Sequence, residues 1–191
     1  MTHRFPIALA LISILALGVP ALSSLPATAA EAPVAPEHNP PGDIPDSQVF
    51  ITYTGSGVSM KVPEGWSRRD LVDGANFSDK YNLVEIRVAK ADHASTAATA
   101  KTNEAKDLLA TGRATEISKI MDEKLDGGTA VRIDYASNSE PNAVTNKQIR
   151  LERVRYLLFK NSTLVTLDMA APFGADNVDQ WRLMANSVRL D

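Results

Sequence analysis

Beyond residue 48, short runs in which hydrophobic and polar residues alternate with period two recur along the chain, the signature of half-buried strands. The stretch Gly57 to Trp66, GVSMKVPEGW, organises the rest. Val58, Met60 and Val62 alternate with Ser59 and Lys61. Pro63 ends the ladder because it has no N–H to give, and Gly65 supplies the free φ of a tight turn. The turn should deliver Trp66 to the core. Upstream, Val49, Ile51 and Tyr53 share a face, so 49–54 and 58–62 predict a hairpin turning at Gly55-Ser56-Gly57. No phosphate-loop spacing follows those glycines, so a turn explains them.

Ser67-Arg68-Arg69-Asp70 reads as a polar turn, Asp73-Gly74 as another, and Ala75 to Ser78 as a short strand. Val84, Ile86 and Val88 alternate with Glu85 and Arg87, a further strand. From Ser95 to Thr111 the pattern turns helical. Ser95 or Thr96 can cap the start, Gly112 can end it, and Ala98, Ala105, Leu108 and Leu109 form a thin apolar stripe.

Residues 115–124 are ambiguous. Ile117, Ile120 and Met121 have helical spacing, yet Asp126-Gly127-Gly128 is a hairpin-type turn and Val131, Ile133 and Tyr135 form the returning arm. A hairpin needs a first arm, so the segment is read as strand. Ser137 to Asn146 is a polar loop. Gln148 to Lys160 is the longest strand, with Ile149 and Leu151 out of phase with Val154, Tyr156 and Leu158; that change predicts a β-bulge near Glu152-Arg153. Val165, Leu167 and Met169 return as its partner. Asp176 then caps a last helix, in which Val178, Trp181, Ala185 and Val188 recur at helical spacing. Trp181 is its expected anchor.

These elements predict an α+β fold: an antiparallel sheet of about six strands flanked by helices, one midway and one at the end. Tight turns in place of regular helical crossovers exclude a doubly wound parallel sheet.

Composition adds the surroundings. After one early arginine, Phe5 to Leu25 is nearly continuous apolar sequence, and Ala27-Thr28-Ala29-Ala30 offers the small residues of a signal-peptidase site. Residues 1–30 are read as a signal peptide of an exported protein, with an uncleaved anchor as the alternative. Glu31 to Asp46, EAPVAPEHNPPGDIPD, is a Pro/Ala-rich tether. Within it Ile44 could dock as a lead-in strand or sit in a plain loop. Residues 47–191 form the single domain, taken as a monomer with no transmembrane helix after cleavage. The formal charge is −3, and −4 without the first thirty residues, which argues against nucleic acid as a partner. The chain has no cysteine; disulfides, thiolate metal sites and a lipid-modified cysteine are excluded.

Catalytic residues are scarce. Of three histidines, His3 lies in the signal, His38 in the tether and His93 in a polar loop, so no Ser-His-Asp set can be built. Asp122, Glu123 and Asp126 lack the alternating acid spacing of a calcium loop. Asp176 and Asp179 suit the first turn of a helix. No catalytic residue, metal ligand or cofactor is assigned. Arg150, Arg153 and Arg155, with Lys147 and Arg132, are the only basic concentration. They read either as the solvated side of paired strands, matched to Glu152 and Asp134, or as a docking patch for an acidic partner.

A strand ending in VPEGW, then FSDKYNLVEIRV, a helix, a two-strand unit turning at DGG, RVRYLLFKNSTLVTLDMAAP and the closing helix WRLMANSV resemble, in that order, the PsbP/Mog1-like domain. The spacing of Phe50, Pro63, Trp66, Gly127, Trp181 and Ser187 carries the likeness over 47–191. The resemblance implies an α/β/α sandwich and a non-catalytic role, since members act as accessories of photosynthetic membrane complexes or bind a small GTPase. The GDIPD lead-in is similar to that of uncharacterised exported proteins of actinobacterial type, many with an anchoring cysteine that this chain lacks. The expected function is an exported, non-catalytic accessory or protein-binding module. Its partner would be an unknown envelope or membrane-associated protein. The alternative is a small-ligand or lipid-binding domain with a pocket between sheet and helix.

Overall fold

The computed structural model describes residues 31–190; the segment read as a signal peptide lies outside them. The opening hairpin pairs β1 (Phe50–Gly55) with β2 (Val58–Pro63). Its two-residue turn puts Ser56 and Gly57 at φ 53° and 75°, which matches the strand twist as a type I′ turn does. Gly65 has φ 85°, the left-handed conformation that the VPEGW turn requires.

Ser67–Leu71 is a strand, β3, where a polar turn was expected. It forms the edge of the large sheet, and four of its five residues are exposed, so it has no buried face to imprint an alternation. Charged residues on an edge also discourage pairing with a second chain. It pairs with β4 (Gly74–Asp79), which pairs with β5 (Asn82–Lys90).

The expected helix over 95–111 is two helices, α1 (Ala97–Thr102) and α2 (Glu104–Thr111), broken at Asn103. Thr96 caps α1 through a reciprocal pair with Thr99, which satisfies the backbone N–H groups of both residues. The buried stripe is Ala100, Ala105 and Leu108, while Leu109 faces solvent.

Next come β6 (Glu116–Leu125), β7 (Gly128–Asn138), β8 (Arg150–Lys160) and β9 (Thr163–Pro172), then α3 (Val178–Asn186) and β10 (Arg189–Leu190). Residues 116–125 are thus strand, as their hairpin partner demanded. The large sheet has seven strands in the order β3-β4-β5-β9-β8-β7-β6, all antiparallel. A separate sheet, β1-β2-β10, makes three. The architecture is α+β, with one strand more in the main sheet than expected.

No bulge lies in β8, whose register against both neighbours is unbroken. The phase change has another cause: both faces of β8 are buried. Val154, Tyr156 and Leu158 enter the main core with α3 and the small sheet, while Leu157 enters a second cluster with Val131, Ile133 and Leu108. The register shift occurs in β6 between Ile117 and Lys119, where Ser118 Oγ donates to Asp134 O at 3.0 Å.

Two further differences concern the ends. Asn177, not Asp176, is the N-cap of α3, and its amide does not cap the helix at all. Fully buried, it accepts from Ile44 N at 2.6 Å and donates to Gly42 O at 2.9 Å. Asp43 instead accepts from Asp176 N at 2.9 Å. Ile44 is 3% exposed and belongs to the main core, docked as an irregular segment without a strand. Replacing Asn177 with alanine leaves the Ile44 N–H buried and unpaired, an expected loss of about 1–3 kcal/mol. Hydrogen exchange should then accelerate at Ile44. Unchanged protection there would show that Asn177 does not hold the segment.

Candidate functional site

The antiparallel register arranges the second face of the large sheet as rows, because directly opposed residues share a face. Tyr135, Arg153, Ala170 and Leu83 form one row across β7, β8, β9 and β5. Ile133, Arg155, Asp168, Glu85 and Asn76 form the next. The helices α1 and α2 pack over β6 and β7. Among the described residues, no helix packs on the β3-β4-β5 side of this face.

Asp168 is the centre. It lies between Leu167 and Met169, which point into the main core, so alternation sends its carboxylate to the second face, where it is 4% exposed. Arg153 holds Oδ1 through Nη2 at 2.8 Å and Nε at 3.2 Å. Arg155 holds Oδ2 through Nε and Nη2, each at 2.7 Å. The Tyr135 hydroxyl donates to Oδ2 at 2.6 Å. Both guanidinium carbons also lie within 5.5–6.0 Å of the Tyr135 ring centroid, close enough for cation–π attraction.

Burial raises the Asp168 pKa, but the two arginines and the tyrosine hydroxyl outweigh it and hold the carboxyl below its ordinary 3.8. The Tyr135 hydroxyl is pushed far up, by burial first and by the Asp168 charge next. Asp168 is therefore ionised and Tyr135 neutral at physiological pH. One carboxylate between two guanidinium ions leaves a net charge of +1, and among the described residues neither arginine uses its Nη1 on a protein acceptor.

Arg150, the third expected member, sits apart. Its even position sends it to the opposite face, where it is 4% exposed. There it donates to Ala114 O at 2.7 Å, Asn138 Oδ1 at 3.2 Å and Glu116 Oε2 at 2.6 Å. The three arginines thus do not form one patch: Arg150 ties β8 to the segment entering β6, and Arg153 and Arg155 share Asp168. Arg132 pairs with Asp134 at 2.6 Å, as expected, and with Glu123 at 3.3 Å. His93 is exposed in its loop.

Arg153 and Arg155, with Asp168 buried beneath them, floor a groove of about 500 Å³ between the β4–β5 turn, the end of α2 and the sheet. Lys80, Tyr81 and Arg113 stand on its walls. Ser137 Oγ and Thr115 Oγ1, also in the walls, have no hydrogen-bond partner among the described residues. Glu31 binds near one end: its carboxylate accepts from Gln148 Nε2 at 2.6 Å and Asn138 Nδ2 at 2.8 Å, and lies 3.2 Å from Arg113. Residues 31–34, read as tether, are therefore laid against the domain.

Beyond the groove, the row continues as a polar ladder that rises from the buried Asn76 through the half-buried Glu85 to the exposed Arg87. Glu85 accepts from Asn76 at 3.1 Å and from Arg87 at 2.7 Å, and Arg87 reaches Asp73 at 2.9 Å. A second hollow of about 500 Å³ lies on the opposite face against α3, walled by Glu152, Tyr156, Trp181 and Arg182. Burial raises the Glu152 pKa there, and burial pushes the Tyr156 hydroxyl up to about 12.

Asp168 was missed in the sequence, although a single acid inside an apolar strand, VTLDMA, marks a buried carboxylate that needs cations. No family model matches the chain, and no curated protein matches it. Among solved structures it is similar to cyanobacterial PsbP (CyanoP) from Synechocystis. The TM-score is 0.55 and the identity 14%, over 78% of this chain and 98% of that one. A protein from Bacteroides thetaiotaomicron gives a TM-score of 0.44 at 12% identity, over 73% of this chain and 48% of its own. A Pseudomonas aeruginosa protein of unknown function gives 0.41 at 12%, over 70% and 91%. The chain has a PsbP-like fold. At this identity the likeness concerns fold alone.

Proposed function

We propose that this PsbP-like chain is a non-catalytic accessory module, exported and acting at the cell envelope, that docks a protein partner on the open half of its large sheet. The carrying observation is the uneven cover of the second face. Helices bury the β6-β7 side, while on β5 the half-buried Glu85 and the exposed Arg87 present a paired charge row, held by the buried Asn76 and by Asp73. Paired charges on strands are held in fixed positions, which favours selective docking over general attraction. The apolar N-terminal sequence supports export. The exposure of His93, the one histidine within residues 47–190, and the engagement of Asp168 by three side chains support a role without chemistry.

Site-specific photo-crosslinking in the native host tests the docking face. A photoreactive residue at Arg69, which stands opposite Asn76 on the edge strand β3, or at Arg87 should capture one recurrent envelope protein, while the same residue at the exposed Val144, between β7 and β8, should not. Equal yields from both positions, or none from either ladder position, would remove the docking assignment. A second reading, a small-ligand-binding domain with its pocket between sheet and helix, is favoured by the groove itself.

A further inference from the structure

We infer that the groove between α2 and the large sheet binds a small organic acid, with its carboxylate on Arg153 and Arg155 and its apolar body on Leu83, Leu151 and Ala170. The inference rests on the reading of the chain as a binding module and adds a ligand, at a place separate from the β4-β5 docking row.

The anion end follows from the floor. Asp168 takes the inner edges of both guanidinium groups and fixes their planes, and the Tyr135 ring backs them. Each is about one-quarter exposed, at 22% and 25%, and each keeps an Nη1 that is unused among the described residues. These are pre-ordered donors, so a ligand carboxylate meets little ordering cost and a planar fork suited to its two oxygens. The triad's net charge of +1 matches a monoanion, and Lys80 adds a second cation on the wall. Within the same region the chain binds a carboxylate of its own, Glu31, through Arg113 and two amides.

The apolar end follows from the register. Arg153 stands opposite Ala170, and Ala170 opposite Leu83. Leu151, two positions before Arg153, lies on the same face and packs with Ala170 and Leu83. An apolar shelf therefore begins where the guanidinium pair ends. Beside it, opposite Leu151, Ser137 is 3% exposed and its hydroxyl has no partner among the described residues. A buried hydroxyl without a partner is costly, and its position in the groove wall offers a polar contact to an occupant. A volume near 500 Å³ falls in the range of small-molecule sites.

The test uses the purified protein of residues 31–191 with benzoate, octanoate and phenyl phosphate as probes, by isothermal titration calorimetry and amide NMR shifts. Benzoate or octanoate should bind with a Kd below about 1 mM, shifting Leu83, Ala170 and Ser137. Arg153→Gln should weaken that binding at least about tenfold. Leu83→Trp, which fills the shelf without touching the ion triad, should weaken it by a similar factor. Lys80→Glu, on an exposed turn, should weaken it severalfold. Neither carboxylate probe binding below about 1 mM would overturn the inference. So would a preference for phenyl phosphate, or carboxylate binding that survives both Arg153→Gln and Leu83→Trp in folded protein. None of these outcomes depends on the crosslinking result.

Discussion

Replacing Asp168 with alanine is expected to cost about 3–5 kcal/mol, the usual penalty for removing one partner of a buried ion pair. The substitution leaves Arg153 and Arg155, each only about one-quarter exposed, facing each other without their shared carboxylate, and deprives the Tyr135 hydroxyl of its acceptor. For a domain whose whole stability is about 5–15 kcal/mol, that loss is a large share. Asp168→Asn should recover little, since it restores shape but not charge. Replacing the triad together, with Leu for Asp168, Met for Arg153 and Leu for Arg155, should recover much of it, because no uncompensated charge remains.

The same carboxylate makes the effect depend on pH in a defined direction. Its folded-state pKa lies below the ordinary 3.8, so its contribution is fully present above 3.8 and is lost as pH falls through the folded value. Urea unfolding should show the widest gap between the native protein and Asp168→Ala near pH 7, and a smaller gap below pH 3.8. A gap under about 1 kcal/mol at pH 7, or one that widens in acid, would show that Asp168 is not the keystone of this face.

How far these features were legible depended on what left a periodic trace. The runs Val58-Met60-Val62, Val131-Ile133-Tyr135 and Val165-Leu167-Met169 each alternate large apolar residues with polar ones in the sequence, and each was readable. The β3 strand was not, because an edge strand with SRRDL exposed on both faces writes no period. In β8 the opposite holds: both faces are buried, so two interleaved sets imitate a slip of phase. Parity alone separated Arg150 from Arg153 and Arg155. Counting along an unbroken strand would have placed them on opposite faces. Asp168 needed the partner strands, since only the register of β5, β8 and β9 shows which cations reach it.

The two tryptophans give the sharpest contrast between sequence expectation and packing. Trp66 follows the organising strand and was expected in the core, but it is only partly buried at the margin of the main cluster. Its place after the Gly65 turn explains this: the chain is already leaving the small sheet towards the exposed edge strand β3. Trp181 is 9% exposed on the inner face of α3, beside Met184 and Ala185, both fully buried. It joins the helix to the core and walls the hollow on that side. Trp181→Ala should therefore cost about 3–5 kcal/mol, the range for a large aromatic removed from a core that cannot fully collapse. Trp66→Ala should cost clearly less, because water already reaches part of the ring and less apolar area is returned to it. Denaturant midpoints of the two variants decide the order. An equal or larger loss for Trp66 would mean that the VPEGW turn, and not α3, fastens the small sheet to the large one.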